Sequence, residues 1–227
     1  MKSFKNLLIL IFSILFLSGC TLIEISTYKY NSDLTSESID TIYVQNTVGS
    51  TTINEWDRNY ISITAIKKGY FEGDADLIEI NVEEGELFTI ETIYPDYTVN
   101  VQVDYEIKIP VSLNVKVKST TGSVSIDGGR CVESVISDTG SVSIRNSDYL
   151  KNISLTTGAI KADINGLLSD CQITTDTGDI VINVETENYS MLSAIAKVGN
   201  VAISIPTENI GDYKITVRTN TGSISIN

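Results

Sequence analysis

From residue 113 onward, hydrophobic and polar positions keep returning to one short phrase: Thr, Gly, a small residue, then two aliphatics separated by a single residue. It reads Thr121-Gly122-Ser123-Val124-Ser125-Ile126, Thr139-Gly140-Ser141-Val142-Ser143-Ile144 and Thr157-Gly158-Ala159-Ile160-Lys161-Ala162. It continues as Thr177-Gly178-Asp179-Ile180-Val181-Ile182, Val198-Gly199-Asn200-Val201-Ala202-Ile203 and Thr221-Gly222-Ser223-Ile224-Ser225-Ile226. Successive glycines lie 18, 18, 20, 21 and 23 residues apart. Alternation is the strand pattern, and one strand signal per repeat of about 20 residues predicts a solenoid of stacked coils. The glycines, Gly122, Gly140, Gly158, Gly178, Gly199 and Gly222, are the expected structural turns, because a sharp corner with φ > 0 excludes a side chain. In this register Val124, Val142, Ile160, Ile180, Val201 and Ile224 form one inward column. Ile126, Ile144, Ala162, Ile182, Ile203 and Ile226 form a second, while Ser125, Ser143, Lys161, Val181, Ala202 and Ser225 face solvent. A second strand precedes each corner, as in 132–136, 152–155, 171–175 and 213–218. An antiparallel sandwich with Thr-Gly hairpins gives no reason for the aliphatics to return in phase six times.

The first half repeats the phrase weakly, in Ile42-Tyr43-Val44 followed by Val48-Gly49-Ser50-Thr51-Thr52-Ile53. A turn-rich link, 54–59, leads to strand patterns at 60–66, 77–82, 87–93 and 99–109. The turn Glu83-Glu84-Gly85-Glu86 suits an antiparallel sheet. Residues 39–112 are therefore expected to form an antiparallel N-terminal β cap. It would be continuous with a solenoid over 113–227 and shield the first unpaired coil. Residues 20–38 are polar without sustained periodicity and read as a tether.

This order of strand and Gly turn, the Ile53-Asn54-Glu55-Trp56-Asp57 link, antiparallel strands and Thr-Gly-x-aliphatic-x-aliphatic coils resembles the putative-adhesin family of extracytoplasmic β-strand-repeat proteins. The likeness spans roughly residues 39–227. It implies an all-β, right-handed single-stranded β-helix, often membrane-anchored, with no catalytic residues to carry over.

The extreme N-terminus changes the picture of location. Lys2 and Lys5 precede a nearly unbroken apolar run, 7–17, which ends in Leu17-Ser18-Gly19-Cys20. That is a signal peptide over 1–19, and the junction resembles a prokaryotic lipobox with Cys20 as lipid acceptor. The run is too short for the roughly 20 residues of a membrane span. Lipidation at Cys20 places the rest outside the cytoplasm, anchored to the cell envelope. Of 16 Lys and Arg, two lie before Cys20, against 29 Asp and Glu, so the chain from Cys20 on has 14 basic and 29 acidic residues, net −15. Such acidity repels phosphate backbones, so nucleic acid is not an expected partner.

The chain has no histidine, which excludes Ser-His-Asp and Cys-His nucleophile systems and removes the commonest transition-metal ligand. Paired carboxylates could still hydrolyse a polysaccharide, and Asp138, Asp176 and Asp179 sit at corners where such pairs could meet. Asp at a corner more simply bonds nearby backbone. Asp74, Asp76, Asp138, Asp176 and Asp179 could donate oxygens to calcium, but neither an EF-hand loop nor a calcium β-roll repeat is present. Trp56, Tyr60, Tyr70, Tyr94, Tyr97 and Tyr105 could stack on sugars or pack a cap. Asn152-Ile153-Ser154 and Asn188-Tyr189-Ser190 are sequons. Cys131 and Cys171, two coils apart in a regular stack, lie beyond disulfide reach and are expected as buried apolar residues.

The expectation is a non-catalytic surface lipoprotein, a binding or adhesion module without cofactor or metal. Its partners would be the membrane, through the lipid, and a surface polymer or an envelope protein. The alternatives are an accessory envelope lipoprotein that binds another membrane component, and a polysaccharide-active β-helix enzyme. The intact mass of the mature protein tests the anchor. A fragment starting at Cys20 and carrying acyl mass is expected, and a Cys20→Ser variant should lose both cleavage and lipid.

Overall fold

The computed structural model describes residues 24–33, 39–95 and 100–227; Cys20, the signal segment and Tyr97 lie outside the described residues. The fold is an all-β solenoid, whose coils each place a strand in two facing sheets. Eight coils stack in the order 87–110, 41–56, 114–127, 131–145, 152–164, 171–184, 213–226 and 189–203, with every neighbouring pair parallel. The alternation drives this arrangement. Val124, Val142, Ile160, Ile180 and Ile224 are in register and buried, as are Ile126, Ile144, Ala162, Ile182 and Ile226. Burying each Val or Ile of these columns contributes about 1.5–3 kcal/mol.

The corners are where the coils approach most closely. Gly122, Gly140, Gly158, Gly178, Gly199 and Gly222 have φ between +139° and +148°. A Cβ on Gly158 would lie 1.7 Å from the carbonyl oxygen of Gly140, and one on Gly178 would lie 2.0 Å from that of Gly158. The same contact runs along the whole file, from Gly49 against Val103 to Gly199 against Gly222. Each corner N–H except that of Gly199, on the last coil, donates to the next coil, as Gly140 to Thr157 and Gly158 to Thr177, at 2.9 and 2.8 Å. Inside the corner, Thr175 and Thr219 donate their hydroxyls to the carbonyls of Gly158 and Gly178. At the first corner Asn46 donates to Gly49 and Val103. Thr92 joins Asn46 to Tyr105 within the core.

Three differences from the expected arrangement have physical causes. The 213–226 coil is inserted between 171–184 and 189–203, so Val201 follows Ile224 in its column and stands at the open end, 42% exposed. Second, 41–56 and 87–110 are parallel coils of the stack and not part of an antiparallel cap. Ile42, Val44, Ile53, Phe88, Ile90 and Ile107 are buried and extend the aliphatic columns. The antiparallel strands are Glu24–Asp33, Tyr60–Gly69 and Glu79–Glu83, which lie beyond the 87–110 coil. Third, the segment expected as tether contains the Glu24–Asp33 strand, paired over ten residues with Tyr60–Gly69. Its half-buried side is Ser26, Tyr28 and Tyr30, with Tyr30 packed against Phe88 at 6.5 Å, so a polar composition concealed a two-residue alternation. Cys131 and Cys171 are free and buried, and burial pushes the Cys171 thiol up to about 12.

Asp104 ties the first coils to the antiparallel strands. It accepts from the Ser50 N–H at 2.7 Å and hydroxyl at 2.8 Å, from Lys68 at 2.6 Å and from Gln102 at 3.1 Å. Burial alone would raise its carboxyl, but Lys68, Ser50 and Gln102 outweigh that and hold it below the usual carboxylate range.

Two predictions follow from these contacts. Gly158→Ala forces both a left-handed backbone and a clash with Gly140, so it should cost at least about 3 kcal/mol. Lys161→Glu, on the exposed side of the same coil, should change stability by less than about 0.5 kcal/mol. Thermal unfolding of both variants measures the difference. Because the folded-state pKa of Asp104 is depressed, its contribution is present above the unfolded value near ~3.9 and is lost as pH falls through the lower folded value. The stability gap between wild type and Asp104→Asn should therefore be widest near neutrality and shrink in acid, as denaturant titrations at several pH values would show.

Candidate binding surface

The outward residues of one sheet form ranks across the coils, because parallel pairing without slippage places equivalent positions side by side. One such rank is Lys108, Asn54, Asp127 and Arg145. Where it meets the loops, Asn54, Glu55, Asp127, Gly128 and Asn146 line a hollow of about 430 Å³. Gly128, at φ +97°, makes the hollow possible: a Cβ there would lie 2.3 Å from that of Glu55. Glu55 accepts the Gly129 N–H at 2.8 Å, and Ser147 props the Gly128 carbonyl at 2.7 Å. Asn146 has φ +54°, the one positive value at a non-glycine among the described residues. That conformation, which Asn tolerates better than most, accompanies an amide that donates to Asp127 at 2.6 Å. Arg145 reaches the other Asp127 oxygen at 3.3 Å. Two carboxylates and two amides thus converge on one open depression. A second hollow, of about 360 Å³ over Ser50, Thr52, Asp104 and Glu106, shares Asn54 with it.

Such a surface can exchange hydrogen bonds with a hydroxyl-rich or cationic ligand. The hollow residues were not singled out by sequence motifs. Their only signal is local: consecutive glycines, Gly128-Gly129, directly after Asp127.

The corner acids behave as turn residues. Asp179 accepts the Ser223 N–H at 2.7 Å, and Asp176 accepts from the Asn220 amide at 2.8 Å. Asp138 is exposed two coils from Asp176 in the same rank. Asp74 precedes the short 3₁₀ turn Ala75–Leu77, and Asp76 lies within it. Among the described residues, no group of three or more Cys, Asp or Glu is placed to hold a metal ion. Among the described residues, the expected aromatics do not make a shelf. Tyr105 is buried, and Tyr94 donates to the Val101 carbonyl at 3.1 Å. Trp56 meets Tyr60 edge-on at 4.5 Å and has Arg58 and Lys108 each 5.7 Å from its ring centre. Tyr70 stands exposed beside Phe71.

Comparison with known proteins agrees with this architecture. No curated protein matches the sequence. A solved structure described as a putative cell adhesion protein from Clostridium sporogenes superposes with a TM-score of 0.52 at 12% identity, covering 89% of this chain and 99% of that one. A putative adhesin from Bacteroides fragilis gives a TM-score of 0.44 at 15% identity, covering 90% and 97%. At 12% identity the likeness to the Clostridium protein speaks for the fold alone. The profile of the Toastrack DUF4097 family spans residues 23–227, and this chain belongs to that family.

Proposed function

We propose that this protein is a non-catalytic adhesion module of the cell envelope, lipidated at Cys20 on the extracytoplasmic side of a membrane. Its solenoid is right-handed, its antiparallel strands cap the end nearest the anchor, and it presents an acidic face. It holds a hydroxyl-rich surface polymer in the hollow over Asn54, Glu55, Asp127 and Asn146. The observation that carries this reading is the convergence of two carboxylates and two amides on one rigid, outward hollow. Carboxylate and amide side chains satisfy sugar hydroxyls with charge-assisted and neutral hydrogen bonds. The lack of histidine favours binding over general acid–base work, and the shared fold with a putative cell adhesion protein from Clostridium sporogenes points the same way. The net −15 from Cys20 onward favours a neutral or cationic polymer over nucleic acid.

Co-sedimentation with purified wall or surface-layer polymer tests this function. Asp127→Ala and Asn146→Ala should each weaken binding about tenfold, the equivalent of one hydrogen bond to a charged group. Unchanged melting of both variants would establish that the fold persists. Failure of the chain to bind polymer, together with recovery of one envelope protein from solubilised membranes, would favour the accessory-lipoprotein reading.

A further inference from the structure

The 189–203 coil ends both sheets, and the chain covers only part of it. Residues 207–211 bond along the start of its first strand, with Leu192 donating to Thr207 at 2.8 Å and Gly211 to Tyr189 at 3.2 Å. From Ser193 to Ile203, the outer edges of both strands have no partner among the described residues. Ile195, Val198 and Val201 are 46, 64 and 42% exposed along this edge. Val198 replaces the Thr that stands at this corner as Thr121, Thr139, Thr157, Thr177 and Thr221. Free edges are normally blunted with charge. The far-end edge strands follow that rule: Glu24–Asp33 contains Glu24, Lys29 and Asp33, and Glu79–Glu83 begins and ends in Glu. Ser193–Ile203 holds a single charge, Lys197, in a chain with 29 acidic and 16 basic residues.

We propose that this open coil docks head to head on the same coil of a second copy. The pair would be related by a two-fold axis, with the exposed edge of each sheet pairing antiparallel to its mate. Two observations select a second copy over another occupant. The free edges belong to two sheets of one coil, so an extended peptide could satisfy only one, whereas an identical end meets both at matching spacing. Two chains with a strong excess of acids repel over most of their surfaces, and the acid-free Ser193–Ile203 stretch is where they can approach. The Glu24–Asp33 strand lies at the opposite end of its sheet, nine strand spacings or about 40 Å away. Paired chains therefore carry their Glu24–Asp33 strands at the two far ends. On the reading that Cys20 is the anchor, the pair would join two facing membranes, though the docking itself does not depend on the lipid.

Sedimentation equilibrium of the full chain in density-matched non-ionic detergent tests the pairing. A monomer–dimer equilibrium that stops at two copies is expected. Ile195→Lys and Val198→Asp, both at exposed positions, should each weaken it at least tenfold with unchanged melting by circular dichroism. Ile25→Lys, at the far end and 63% exposed, should leave it unchanged. A chain that is monomeric at every concentration, a dimer that survives both edge variants, or growth beyond two copies would overturn the proposal. So would weakening of the dimer by Ile25→Lys.

Discussion

The approach of successive coils at their glycine corners is the constraint on which the rest of the molecule depends. The carbonyl of one corner occupies the space where a Cβ of the next would stand, as between Gly140 and Gly158. The second α-hydrogen takes that place, in a Cα–H···O contact of the kind that recurs between neighbouring strands. Because the corners touch, the strands on either side are held at ladder spacing, and the aliphatic columns close without gaps. Corner geometry, ladder hydrogen bonds and packed core are three results of one close contact. Two inward corner residues, Thr175 and Thr219, also satisfy a corner carbonyl. Ser119 and Ser137 in the same column leave their buried hydroxyls unpartnered.

Much of this was legible because it is local. The Thr-Gly phrase encodes corner, strand and inward face within six residues, and each coil repeats it without reference to distant chain. The order of the coils was not legible for the same reason. The columns offer similar aliphatics at every level, so nothing within 189–203 or 213–226 says which lies outermost. That order emerges only from the complete set of pairings. The Glu24–Asp33 strand was missed because its inward side uses Ser and Tyr, whose burial depends on Phe88, far along the chain. The hollow was missed because it draws Asn54, Asp127 and Asn146 from three coils, and only stacking unites them.

The hollow and the scaffold are linked through the same spacing. Asn54 and Asp127 lie on adjacent coils, so their separation is fixed by backbone ladders instead of by mobile loops. A ligand meeting them would find donors and acceptors already ordered, with little side-chain entropy left to lose. The hollow also depends on a glycine for room, Gly128 against Glu55, just as the corners do. Hollow and stacking thus use one device, the omission of a side chain where two parts of the chain must approach.

The inserted 213–226 coil has a consequence for how the chain acquires its shape. Synthesis produces 189–203 first, yet its only parallel neighbour in the stack is the coil made after it. As the chain is made, each coil from 114 to 184 can add to the one before. The 189–203 coil must then wait, either loosely placed on 171–184 or free, until the later segment enters the gap. Closure of this end is therefore non-local in time as well as in space, and such late pairings slow folding. During that interval a bare row of backbone donors and acceptors faces solvent, open to pairing with any other strand edge.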